Sequence, residues 1–221
     1  MKRVLTVVDS LRRGGAERLI VTTHAFLDRT RFEPAVAALH PPYALAGELR
    51  QMGVEVWTLD TGGTRDLVRA VFRLRRAIRA FRPAVLHTHL FASNVAGRIA
   101  AGRTPVVTTL HNPDYGFEDN GTLRFRLRKA LDGGTGRWKN RAFVAVSDAV
   151  RADYATHMRF APIHVIPNYM DVGAFAERVA AVDRTRERRM LGIAEGDVVV
   201  LHVGRFHRQK AQDVLLRAFH E

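Results

Sequence analysis

The sequence predicts an α/β chain: a parallel sheet covered by helices on both faces, with a second unit begun near the C-terminus. Three observations carry this. Short β-branched apolar runs alternate with helical segments at close intervals, the pattern of a buried parallel sheet. Glycine or polar loops follow several of the strands. Beyond Pro167 the texture changes to a charged stretch, and a fresh apolar run then starts at Val198.

Residues 4–8 read as the first buried strand, Gly14-Gly15 turn the chain, and 16–27 read as a helix. Residues 32–39 form a second strand, with Pro34 arguing for an edge position or an early strand residue. Residues 45–52 are helical, Gly53 ends them, and 54–59 alternate as a strand. Residues 65–81 give the clearest helix, with Leu67, Val71, Leu74, Ile78 and Phe81 at three- and four-residue spacing, and Arg65, Arg69, Arg73 and Arg76 on another side. Strands at 84–87 and 106–110 flank a helix at 93–101. Over 122–140, Leu123, Leu127, Ala130 and Leu131 favour helix while Gly133, Gly134 and Gly136 argue for a break. A strand at 142–146, a helix capped by Ser147 and a short strand at 164–166 complete the first unit. The division expected is 1–170 as one domain, 171–197 as a linker with helical stretches, and 198–221 as the strand, loop and helix that open a second domain. One strand and one helix bury no core of their own, so the chain is expected to stop before that domain is built.

The 221 residues hold 47% hydrophobic and 26% charged side chains, ordinary for a globular chain. No cysteine is present, which excludes disulfides and thiolate metal sites within the sequence. The apolar part of the N-terminus is short for a signal peptide, and no uninterrupted apolar run of roughly 18 residues occurs. A cytoplasmic location is the expectation. The net charge of +13 comes mainly from arginine, whose planar fork suits phosphate, so phosphorylated small molecules and anionic lipid head groups are candidate partners. The arginine-faced helix at 65–81 also points to peripheral association with the inner face of a membrane. Nucleic acid is not expected: no helix-turn-helix spacing, RNA-binding aromatic signature or zinc spacing accompanies the charge.

Ligands of parallel sheets bind at the carboxyl ends of the strands. That directs attention to four motifs. Gly14-Gly15-Ala16-Glu17-Arg18 follows the first strand; it is either a tight turn or a place where backbone N–H groups approach an anion, and it lacks the dinucleotide and P-loop spacings. Thr108-Thr109-Leu110-His111-Asn112 ends a strand, where His111 either closes a hydrogen bond or acts on a substrate. His87-Thr88-His89 places two imidazoles on one face of a strand, but no carboxylate or cysteine completes a familiar metal-ligand spacing, so no metal is assigned. Val203-Gly204-Arg205-Phe206-His207-Arg208-Gln209-Lys210 is either a solvated basic loop or a clamp in which Arg205 and Lys210 hold two phosphates beside Gly204.

In combination the motifs are far more specific. Gly-Gly-Ala-Glu-Arg, Thr-Leu-His-Asn, Val146-Ser147-Asp148, Ile166-Pro167-Asn168-Tyr169-Met170-Asp171 and Val-Gly-Arg-x-x-x-Gln-Lys occur in this order, and with these separations the chain resembles the GT-B glycosyltransferases of family 4 from Lys2 to Phe219. The resemblance implies two Rossmann-like domains about a cleft, an acceptor side followed by a nucleotide-sugar side. It implies retention of anomeric configuration without a bound metal or cofactor, the nucleotide-sugar being the donor substrate. The implied acceptor is a lipid-linked or polysaccharide carbohydrate of the cell envelope. It also implies roles: Gly15 brings its backbone N–H to the donor diphosphate, Gly14 permits the turn, His111 contacts the transferred sugar, and Arg205 and Lys210 neutralise the leaving group beside Gly204. Two departures stand out. Ala211 occupies a position usually held by glycine, and the carboxylate-bearing segment of the family is expected beyond Glu221. A non-catalytic domain that binds anionic lipid or polymer is the alternative.

Overall fold

A computed structural model describes residues 1–62, 66–113, 122–156, 158, 160–204, 206 and 210–220. The chain divides into two compact units, Met1–Met170 and Asp171–Glu221. The first holds strands β1 (Lys2–Val8), β2 (Phe32–Ala38), β3 (Glu55–Thr58), β4 (Val85–His89), β5 (Val106–Leu110), β6 (Asn140–Ala145) and β7 (Ile163–Val165). Between them run helices α1 (Gly15–Ala25), α2 (Ala46–Gln51), α3 (Leu67–Phe81), α4 (Phe91–Ala100), α5 (Leu123–Lys139) and α6 (Asp148–Ala155). All the strands pair in parallel in the order β3-β2-β1-β4-β5-β6-β7.

The two-residue period of the strands sorts the core onto two faces. Leu5 and Val7 of β1, with Ala35 and Ala37 of β2, pack against Val71, Leu74, Ile78 and Phe81 of α3 and Ala92 and Ala96 of α4. Val8, Val36 and Ala38 point the other way, onto Ile20 and Val21 of α1 and Leu49 of α2. Burying each larger apolar side chain contributes roughly 1.5–3 kcal/mol, so α3 is held by its apolar stripe rather than by helix propensity. A third cluster joins Phe143, Ala145, Val150, Tyr154 and Met158 around β6 and α6.

Two local expectations change. The glycine-rich stretch does not break α5. Gly136 sits on the buried side of the helix in close packing: an added Cβ would lie 3.3 Å from Phe160, a tight contact, and 3.4–3.5 Å from Phe143 and an Arg98 nitrogen. In the second unit, α7 (Val172–Ala180) and α8 (Arg184–Met190) are capped by Asp171 and Asp183, whose carboxylates accept from the Ala174 and Arg186 backbone N–H groups. Residues 198–203, read from sequence as a strand, form no ladder among the described residues and stay exposed. A strand is held by its neighbours, and the rest of the described second unit is α7, α8 and α9 (Gln212–His220).

Candidate functional site

The strand order reverses between β1 and β4, and the loops leaving the carboxyl ends of β1, β4 and β5 flank that switch point. Gly14-Gly15, His89 and His111 belong to those loops and strand ends. At the β1 end, burial pushes the Asp9 carboxyl above its ordinary range, against the lowering effect of its bonds to Ser93. Its Oδ1 accepts from the Ser93 hydroxyl at 2.6 Å and the Ser93 backbone N–H at 2.7 Å, joining β1 to the first turn of α4. The protein's own carboxylate therefore occupies the N-terminus of α4. The turn before α4 is strained: Leu90 sits at φ +70°, ψ 166°, a region essentially reserved for glycine. Beside it, the buried Asn94 Oδ1 meets no hydrogen-bond partner among the described residues.

The N-terminus of α1 is built differently. Gly14 is extended, at φ −129°, so its backbone does not demand glycine. Its smallness makes room for a side chain instead: a Cβ there would lie 2.3 Å from Glu17 Oε2 and push that carboxylate, which folds back over Gly14 and accepts from Arg12 Nε at 3.1 Å. Gly15, the first residue of α1, has nothing within 4 Å of where a side chain would begin. The glycine pair thus combines one close approach with one open face.

Below the β4 and β5 ends lies a chain of histidines. His24 Nδ1 donates to the Ile20 carbonyl at 2.8 Å, leaving Nε2 to accept from the Thr6 hydroxyl at 3.5 Å. His87 Nε2 and Thr109 Oγ1 are 2.7 Å apart, and His89 Nδ1 and His111 Nε2 are 3.0 Å apart. Burial holds all four imidazoles neutral: it lowers His24, takes His87 and His111 down to about 4, and sets His89 well below the ordinary value. The cavity among His24, His87 and His89 measures about 10 Å³, room for no more than a water. His24 and His89 are buried, while His87 and His111 are half-buried, and of these two His111 lies at the strand end. Among the described residues, no group of His, Asp and Glu is arranged to hold a metal ion.

A neutral imidazole has one N–H. If His111 donates from Nδ1 to a ligand hydroxyl, its Nε2 must accept, and His89 Nδ1 is then the donor. In that arrangement the His89 N–H holds His111 in the tautomer protonated on Nδ1. A shallow groove of about 680 Å³ also exists, between Val56, Trp57 and Leu59 and the Arg73, Arg76 and Ala80 side of α3. It runs along the outer edge of the sheet, away from the switch point, and gathers no acid–base pair. Of the remaining candidates, Gly204 and Lys210 lie in the second unit. A Cβ on Gly204 would meet Lys210 Cγ at 3.4 Å, so the glycine lets the lysine stem pass, and Lys210 is exposed. Arg205 lies outside the described residues.

Sequence reasoning singled out His111 and the two glycines, but not Asp9, Glu17 or the strained Leu90. Asp9 ended an apolar run as an ordinary polar residue, and its pairing with Ser93 spans a separation that no local pattern reveals.

Known proteins place this arrangement in context. EpsF of Bacillus subtilis, which carries a glycosyltransferase name, is 28% identical over 229 residues, covering 98% of this chain and 57% of EpsF. A D-inositol 3-phosphate glycosyltransferase of Geodermatophilus obscurus is 33% identical over 152 residues, or 61% of this chain and 30% of the relative. The chain therefore spans little more than half of the first relative and less of the second. Among solved structures, HepE of Anabaena in complex with UDP and glucose superposes with a TM-score of 0.78 at 19% identity, over 99% of this chain and 58% of HepE. Sucrose-phosphate synthase from Thermosynechococcus elongatus gives 0.73 at 14% identity, over 99% and 59%. These likenesses show the GT-B fold. A family model described as Glycosyltransferase Family 4 matches residues 13–173, most of the first unit with its glycine turn and histidine strand ends, and the chain belongs to that family.

Proposed function

We propose that this chain forms the acceptor side, and begins the donor side, of a retaining glycosyltransferase that moves a hexosyl group from a nucleotide-sugar to a lipid-linked or polysaccharide acceptor of the cell envelope. The observation that carries the reading is the neutral, partly exposed His111 at the switch point of a family 4 chain, backed by a second imidazole that orients it. The UDP and glucose bound by HepE agree with a nucleotide-sugar donor.

In this reading the anomeric carbon loses its bond to the diphosphate oxygen and gains one to the acceptor hydroxyl oxygen on the same face. The acceptor proton leaves with the nucleoside diphosphate. Gly15 offers its backbone N–H to the diphosphate, and the Gly14–Glu17 contact keeps that turn compact. His111 donates to a hydroxyl of the transferred sugar. Arg205 and Lys210, with Gly204 giving clearance, take up the charge that develops on the leaving group, the largest electrostatic demand of the step. No cofactor is assigned, and the protein works at the cytoplasmic side of a membrane.

In the full protein that the gene encodes, Lys210→Ala and Arg205→Ala are each expected to lower nucleotide-sugar turnover by about 10²-fold or more. Unchanged turnover in both variants would remove the phosphate-clamp assignment.

A further inference from the structure

Helix α5 carries an apolar face that no described residue covers. Leu123, Leu127, Leu131 and Trp138 are 72%, 61%, 40% and 64% exposed. At 100° per residue they fall, with the exposed Ala130 and Gly134, in one stripe about 100° wide. The opposite side of the helix faces the protein through Asp132 and Gly136, both buried. Arginines rim the stripe: Arg124 on one flank, Arg126 and Arg137 on the other, all exposed and without an ion pair among the described residues. Asp132 is the sole acid of α5, and it points inward to Arg98. The outward half of a helix about 25 Å long is thus leucine and tryptophan edged by positive charge alone.

We infer that this face docks the protein on an anionic lipid surface, with α5 lying in the plane of the interface, leucines and Trp138 among the acyl chains and arginines at the head groups. Charge complementarity selects the lipid. A second copy meeting the stripe about a two-fold axis would set arginine rim against arginine rim. No described helix is long and apolar enough to cross a membrane, which fits a helix that lies on one. Helix α3, the arginine-bearing helix first singled out in the sequence, is a weaker surface. Its Arg73 donates to the Leu59 and Asp60 carbonyls, Arg75 donates to the Ile99 carbonyl, and Arg69 lies 3.8 Å from Asp66. The inference stands on α5 alone, whether or not the chain transfers sugar.

Vesicle co-sedimentation tests it on the full chain, using phosphatidylcholine vesicles with and without phosphatidylglycerol. Partition is expected only with phosphatidylglycerol, falling as salt rises. Arg124→Gln, Arg126→Gln and Arg137→Gln together are expected to weaken it on the order of a hundredfold. Leu127→Ser with Trp138→Ser is expected to abolish it while leaving thermal stability unchanged, since both positions are exposed. The chain has two tryptophans, so in a Trp57→Phe background the emission of Trp138 alone is expected to shift blue on the anionic vesicles. Absence of partition would overturn the inference. So would partition that the α5 substitutions leave unchanged, or a dimer in solution that Leu127→Ser and Trp138→Ser dissolve without affecting partition.

Discussion

Arg98 is fully buried in the middle of α4, and its guanidinium is spent on the protein. Nε donates to Asn140 Oδ1 at 2.7 Å, while one terminal nitrogen donates to Asp132 Oδ1 at 2.5 Å and to the Asp132 carbonyl at 2.9 Å. The other terminal nitrogen reaches Thr108 Oγ1 at 3.2 Å. This network ties α4, α5, β5 and β6 together. Removing one partner of a buried pair leaves an uncompensated charge, so Arg98→Met is expected to cost about 3–5 kcal/mol in a denaturant melt, and adding Asp132→Leu to restore much of it. Nothing in Gly97-Arg98-Ile99 announces this, because one arginine in an otherwise apolar helix reads as a surface residue. The histidines were partly legible: the i, i+2 spacing put His87 and His89 on one face, but the Thr109 hydroxyl that His87 meets and the His111 ring that His89 meets come from β5 and its end, beyond any local pattern. Their burial has a consequence for pH. His87 titrates near 4 when folded and near 6.5 when unfolded, so between these values the unfolded chain binds more protons. Stability therefore falls as pH drops from about 6.5 toward 4, by up to about 1.4 kcal/mol per pH unit for this group. The slope of melting temperature against pH is expected to flatten in His87→Gln.

At the scale of elements, the sequence supported most strands and the buried face of α3, because the period of the apolar residues carries that information directly. It failed where tertiary contacts decide. The glycines of α5 predicted a break, yet Gly136 packs closely beneath Phe143, Phe160 and Arg98, and tertiary packing overrides propensity. The leucines of α5, read from sequence only as favouring helix, face outward. Residues 198–203 have the composition of a strand and no strand beside them in the described second unit. Ala211, where the family usually has glycine, adopts φ +49°, the left-handed region that an L side chain resists. Its carbonyl accepts from the Val214 and Leu215 N–H groups at 3.0 Å, opening α9. Relief of about 1 kcal/mol of strain by Ala211→Gly is expected to slow hydrogen exchange at Val214 and Leu215 about fivefold. Unchanged or faster exchange would mean that the turn is not strained.

For the whole molecule, alternation of strands and helices was enough to predict a parallel sheet, and the rule for such sheets was enough to direct attention to the strand ends. The strand order was not legible, since every connection joins elements whose partners are chosen by packing. That order is what gives the candidate site its position. It sets β1 beside β4 and β4 beside β5, so the glycine turn and the His89–His111 pair leave neighbouring strands at one switch point. In the proposed reaction His111 acts as a neutral donor to the transferred sugar. The most direct test is steady-state release of nucleoside diphosphate from a nucleotide-sugar by the full protein, wild type against His111→Ala. A kcat lower by about 10²-fold is expected, with a donor KM moved far less and a melting temperature close to wild type. A folded His111→Ala protein that keeps its kcat would rule out His111 as the donor.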